Sequence, residues 1–198
     1  MAYTPCAAAS VAANLQENCN NPAFEGMKVL GVAMAKSDVQ SFVRGNTQAT
    51  KNQVSAITLV SGAKTFVIEA SGATPWADSG EEFDSELRRW NKNAIFVAPD
   101  YGAEISSNVI EPLCKNKDGF VVILQRKNER GDGSFVIVGL EKGAVVSAMT
   151  RNDTDSATSG CASITLTESG APSSEINFYD TNYATTKTAF DALVAAAV

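Results

Sequence analysis

The side chains that could do chemistry in this sequence are few and scattered. Histidine, the commonest general base, is absent, so neither a Ser-His-Asp nor a Cys-His arrangement can be assembled. The four cysteines, Cys6, Cys19, Cys114 and Cys161, are far apart and form no CxxC pair. Cysteine zinc sites normally draw ligands from such close pairs, so no metal is expected. Cys6 and Cys19 are the nearest pair for a disulfide, but with no secretory signal at Met1–Ser10 free thiols are the expectation.

Carboxylates are the remaining candidates. Asp153-Thr154-Asp155 has the alternate spacing that opens a calcium loop. The glycine and late bidentate glutamate of such a loop do not follow at the right distances, and a solvated loop is expected. Glu81, Glu82, Asp84 and Glu86 form a charged run, read as a solvated face rather than an acid/base pair, since a glycosidase pair cannot be recognised from spacing. Gly131-Asp132-Gly133 lacks the lysine and helix of a phosphate loop and fits a hairpin turn. No Walker loop, GxGxxG or GxSxG occurs. Neither a catalytic residue nor a cofactor site is assigned, and the chain is expected not to be an enzyme.

Binding chemistry is limited in the same way. Lys and Arg number 16 against 22 Asp and Glu, a net charge of −6. Phosphate recognition needs a basic surface, and the densest basic sites, Arg88-Arg89 and Arg126-Lys127, are expected on solvated faces. Trp76, Trp90, Tyr101 and Tyr179 could stack on a sugar, although a tryptophan serves equally as a core or interface anchor.

The elements that must carry these residues are mostly strands. With 198 residues the chain suits one domain and needs no staples to fold. No run approaches the roughly 18 apolar residues of a membrane helix, so no membrane partner is expected. Residues 1–26, rich in Ala and Asn, read as an extended arm preceding a single β-rich domain over 27–198; a helix near Ala7–Leu15 is the alternative. Strands are expected over Gly26–Ala35, Val54–Val60 and Lys64–Ala70, the last two linked as a hairpin through Ser61–Lys64. In Glu81–Trp90 the spacing of Phe83, Leu87 and Trp90 fits a helix face, and a strand with a turn at Asn91–Asn93 fits equally. A clear strand follows at Asn93–Pro99. Ile105, Val109, Ile110 and Leu113 mark a helix over Glu104–Leu113.

Phe120–Leu124 is wholly apolar, and a glycine-bearing polar turn leads to the return strand Ser134–Leu140, giving a β-hairpin. Gly143–Thr150 is expected to continue that sheet. Ala162–Glu168 alternates as a strand with one wet face, Glu175–Tyr179 is a last strand, and Ala184–Ala195 closes as a helix through Phe190, Leu193 and Val194.

The hairpin, with Phe120–Arg126 and then Phe135-Val136-Ile137-Val138-Gly139-Leu140-Glu141-Lys142-Gly143, resembles a segment of tailed-phage virion proteins of the tail-tube type. There a glycine-hydrophobic-acidic-x-glycine strand end leads to a polar loop and a threonine-leucine-threonine strand, as Asp153–Gly160 and Ile164-Thr165-Leu166-Thr167 do here. The resemblance spans roughly Ile95–Tyr179. It implies a mainly β (α+β) fold, a β-sandwich or barrel of tail-tube type with a flanking helix, to which the patterning adds the C-terminal helix. It implies self-association into a homo-oligomeric ring, hexameric or higher, in the tail or neck of a virion. Neighbouring virion proteins would be its partners, and genomic DNA would pass through without sequence-specific contacts. An acidic lumen would not retain that DNA. The alternatives are a capsid decoration protein, a carbohydrate or cell-surface binding module and, more remotely, a carboxylate hydrolase.

Overall fold

The computed structural model describes residues 26–69, 77–98, 102–127, 129 and 131–197. The expected N-terminal arm, apart from Gly26, lies outside the described residues, as do Trp76, Tyr101, Cys6 and Cys19. The described chain is mainly β, with two sheets and a C-terminal helix. The strands are β1 (Met27–Ala35), β2 (Val39–Arg44), β3 (Gln53–Leu59), β4 (Thr65–Glu69), β5 (Ala77–Asp84), β6 (Arg89–Ala98), β7 (Phe120–Arg126), β8 (Phe135–Val138), β9 (Val145–Thr150), β10 (Ala162–Ala171) and β11 (Ile176–Phe178). A seven-stranded sheet runs in the order β2-β3-β11-β8-β7-β1-β4, and a four-stranded sheet in the order β5-β6-β10-β9. The ladders are antiparallel except that between β3 and β11.

The apolar run of β7 has a simple cause: its sheet is covered on both faces. Phe120, Val122 and Leu124 face a core shared with Ala94 and Phe96 of β6 and Ile164 and Leu166 of β10. Val121 and Ile123 face the opposite way, into a second core closed by Phe190 and Leu193 of the C-terminal helix, Tyr183–Ala195. Two-sided burial removes the alternation that a half-wet strand shows, and each buried aliphatic contributes about 1.5–3 kcal/mol. β10 has one wet face and alternates as expected, with Ala162, Ile164, Leu166 and Glu168 inward. The C-terminal helix starts where Asn182 accepts a hydrogen bond from the Thr185 N–H, an N-cap that offsets an orphan donor.

Four expectations on local structure change. Val54–Leu59 and Thr65–Glu69 are strands, yet not a hairpin: β3 already has β2 and β11 on its two sides, and β4 takes the open side of β1. Glu81–Trp90 is neither a helix nor a strand turning at Asn91. β5 and β6 form a hairpin turning at 85–88, where Asp84 accepts from the N–H groups of Glu86 and Leu87. Phe83 stands opposite Trp90 on this ladder with ring centroids 4.9 Å apart, so the spacing taken as a helix face also serves a cross-strand pair. The helix over 103–115 holds a π-helical turn, Ser106–Ile110, between Ala103–Ile105 and Glu111–Lys115. Ile110 and Leu113 are buried as expected, whereas Val109 is exposed. Finally, Val145–Thr150 does not continue the hairpin sheet but crosses to the other one beside β10.

The crossing from β8 to β9 depends on glycine. Gly139 has φ 88°, and a Cβ there would stand 1.9 Å from the Phe120 carbonyl oxygen. Gly62 has a similar φ of 81°, but open space surrounds it. Gly62→Ala should therefore cost only the conformational strain, about 1–3 kcal/mol. Gly139→Ala adds a backbone clash and should lower the urea midpoint by clearly more than Gly62→Ala does. Equal losses in the two variants would mean that close packing at the crossing does not matter.

Candidate functional site

The residues that the fold gathers most tightly are ones the sequence does not single out. On β6 the inward positions are Lys92, Ala94 and Phe96, and on β10 they are Ile164, Leu166 and Glu168. The register places Lys92 directly opposite Glu168. At this end of the core the inward parity that carried apolar side chains carries a charge on each strand. The Lys92 Nζ stands 3.2 Å from Glu168 and 3.5 Å from Glu141, with the Lys92 and Glu168 side chains 2% and 0% exposed. Arg44, the last residue of β2, meets Glu141 at 2.8 Å and donates to the Ser173 hydroxyl at 2.8 Å.

The cluster is balanced: Lys92 and Arg44 compensate Glu141 and Glu168. It is also saturated with hydrogen bonds. Glu168 accepts from the backbone N–H groups of Gly139, Glu141 and Lys142 at 3.0, 2.8 and 2.7 Å. Burial pushes the Glu141 carboxyl up, but the hydrogen bonds from Arg44 and Ser173 and the Lys92 charge outweigh it, and the net shift is downward. A general acid needs a raised carboxyl and a reachable substrate, and Glu141 has the opposite shift. The neighbouring cavity, lined by residues such as Ser79, Lys92, Val138 and Glu175, holds about 10 Å³. That is room for a water beside the Ser79 hydroxyl, which has no partner, and not for a substrate. The cluster is an ionic lock.

Among the described residues, those singled out by the sequence are not gathered into one site. Asp155 accepts from the Ala157 N–H and the Thr158 hydroxyl, and Asp153 pairs with Arg151, so the 151–160 loop satisfies its own carboxylates. Among the described residues no group of three or more ligating side chains could hold a metal ion. Glu81 accepts from the Glu175 N–H at 2.6 Å, and Glu82 and Glu86 are exposed on the β5–β6 hairpin. Asp132 in the β7–β8 turn accepts from the Gln53 side chain at 2.6 Å. Arg88 and Arg89 are exposed at the hairpin tip, whereas Arg126 is paired with Glu175. The Trp90 ring packs on Phe83, and the Tyr179 hydroxyl donates to the Thr181 carbonyl. Cys114 is exposed on the helix of 103–115, and the Cys161 thiol points at the Ser159 carbonyl from the loop before β10.

The sheet margins, by contrast, are widely exposed. β2 is an edge strand exposed at Gln40, Ser41, Phe42 and Val43, four consecutive residues and therefore both faces. β5 is the edge of the other sheet and is exposed over 80–83 in the same way. Phe42 is 37% exposed, Val43 59%, Phe83 42% and Leu87 68%, so both edges present apolar side chains. Comparison with protein-family models, with characterised proteins and with solved structures finds no match for this chain.

Two measurements test the lock. Lys92→Met leaves the buried Glu168 carboxylate without its cation, and removing one member of a buried pair costs about 3–5 kcal/mol; urea denaturation should show a loss of that order. Glu141, with its pKa lowered by folding, contributes stability that is complete above the ordinary carboxylate pKa, about 4.3, and is lost as pH falls through the lower folded-state value. In Glu141→Gln the fall in stability below that pH should be shallower than in the unsubstituted chain. An unchanged slope would contradict the assignment.

Proposed function

We propose that this chain is a self-assembling structural subunit, of the kind that builds rings or a tube in the tail or neck of a tailed-phage virion around a channel for DNA. The observation that carries this reading is the pair of open sheet edges, β2 and β5, each exposed on both faces, with Phe42 and Val43 on the first and Phe83 on the second. An unpaired strand is a template for another chain; the β2 ladder shifts register only at its ends, at Val39/Ser41 and Val43/Arg44, and β5 carries the carboxylates Asp78, Glu81, Glu82 and Asp84. β4 shows the contrast: its edge is partly covered, with the Thr65 N–H donating to Ala196 and its hydroxyl to Leu193 at the end of the C-terminal helix.

The virion part of the reading rests on the resemblance, and the segment that carries it lies at the centre of this fold. Gly139–Gly143 is the crossing between sheets, and Glu168, at the end of the threonine-leucine-threonine strand, binds its backbone. The net charge of −6 fits a channel from which DNA must leave freely. A capsid decoration protein would use the same edges at a different position.

A second reading, a carbohydrate or cell-surface binding module, is favoured by the Phe83–Trp90 pair beside exposed Leu87 on the hairpin. Light scattering with negative-stain microscopy separates the two. The assembly reading expects masses many times the 20.8 kDa protomer and visible rings or tubes. A monomer whose tryptophan fluorescence responds to a glycan would overturn it in favour of the binding module.

A further inference from the structure

We infer that Lys92 and Glu168 condense to an isopeptide bond, with Glu141 carrying a proton, so that the ionic lock is the precursor of an internal cross-link. This is independent of the self-assembly reading. Its ground is the placement of three side chains. The Lys92 Nζ stands 3.2 Å from the Glu168 Oε2 and 3.5 Å from the Glu141 Oε2. The Lys92 and Glu168 side chains are 2% and 0% exposed. They sit directly opposite each other on β6 and β10, the two inner strands of their sheet, so neither can leave the other for water. Groups held together in this way react as if at about 10⁵ M or more.

The step balances without a co-reactant. The Lys92 ammonium passes one proton to Oε2 of Glu168, which leaves an amine beside a carboxylic acid and removes two charges from a site that cannot hydrate them. The amine lone pair attacks the Glu168 Cδ. Negative charge gathers on Oε1, where the N–H groups of Glu141 and Lys142 already donate at 2.8 and 2.7 Å, the arrangement of an oxyanion hole. Glu141 takes a second proton from Nζ; its lowered pKa suits this, since it meets the amine ionised. It then hands that proton to the Oε2 hydroxyl, to which the Gly139 N–H donates at 3.0 Å. The Cδ–Oε2 bond breaks, one water leaves, and the amide keeps the last Nζ proton. Glu141 ends ionised, paired with Arg44 at 2.8 Å.

The cavity beside Lys92 completes the site. It holds about 10 Å³, room for one water, and the buried Ser79 hydroxyl that lines it has no partner. The released water thus has a place and a hydrogen bond next to the reacting pair. The lysine pairs Lys28–Glu129, Lys115–Glu111 and Lys187–Asp191 lie in contact with solvent and lack this enclosure, so the reaction is confined to Lys92.

Intact-mass spectrometry of the denatured full chain provides the test, with the terminal peptides of a digest fixing the reference mass. The unsubstituted chain should be lighter than its sequence by one water, and the digest should contain a branched peptide joining the segments of Lys92 and Glu168. K92M removes the nucleophile, and E141Q removes the proton carrier while leaving the reacting pair in place. Both should show the full sequence mass, with circular dichroism checking that each is folded. If K92M fails to fold, K92R, which keeps the charge without the amine, takes its place. An unsubstituted chain of full sequence mass overturns the cross-link. So does a water loss that persists without Lys92, or one that maps to Asp118-Gly119 or Asp132-Gly133, where an aspartate can dehydrate onto its own backbone. A folded E141Q that still loses water overturns the role given to Glu141.

Discussion

Lys92 and Glu168 stand opposite each other on neighbouring strands, at the inward positions where the core ends. Both belong to the parity that carries Ala94, Phe96, Ile164 and Leu166, so neither side chain can reach water without breaking the strand alternation. Two charges taken out of water must be compensated locally, and much of the surrounding architecture does this. Lys92 is shared between Glu168 and Glu141, while Glu168 gathers the N–H groups of the crossing turn that Gly139 opens and Gly143 closes. The same turn meets the start of β7, where Phe120 and Ala144 exchange backbone hydrogen bonds. The position at which the chain leaves one sheet for the other is therefore set by an ion pair and by the hydrogen bonds of its carboxylate.

The fold was legible where burial leaves a simple pattern. Phe120–Leu124 announces itself because both faces are covered, and Ala162–Glu168 because one is. The glycine-bearing turn before Phe135 and the apolar face of Phe190 and Leu193 likewise match what forms. Legibility failed where one pattern serves two structures. The spacing of Phe83, Leu87 and Trp90 fits a helix face and also a hairpin that brings Phe83 opposite Trp90. The short link after Leu59 looked like a hairpin turn because sequence does not reveal that β3 already has two neighbours. β2 leaves no pattern in the sequence, since a strand exposed on both faces has no reason to alternate.

The ionic lock was hidden for a related reason. Its signal is present in the alternation Lys92-x-Ala94-x-Phe96 and Ile164-x-Leu166-x-Glu168, where a charge occupies an inward position. A charge at the end of an alternating run reads as a strand reaching solvent. Only the register between the strands turns two apparent ends into a buried pair, and register is a tertiary property.

The lock also bears on the edges. Across β6, Lys92 faces Glu168 on one side and Glu81 of β5 on the other, and Glu81 accepts from the Glu175 backbone. At the end of β2, Arg44 is held by Glu141, Asn52 and Ser173. Each open edge is thus tied to the lock or its surroundings at one point, β2 at its end through Arg44 and β5 at mid-strand through Glu81. An edge held in extended form before it meets a partner loses less conformational entropy on docking than one that must order first. The buried charges, costly to the isolated fold, thereby anchor the two edge strands, β2 through Arg44 and β5 through Glu81.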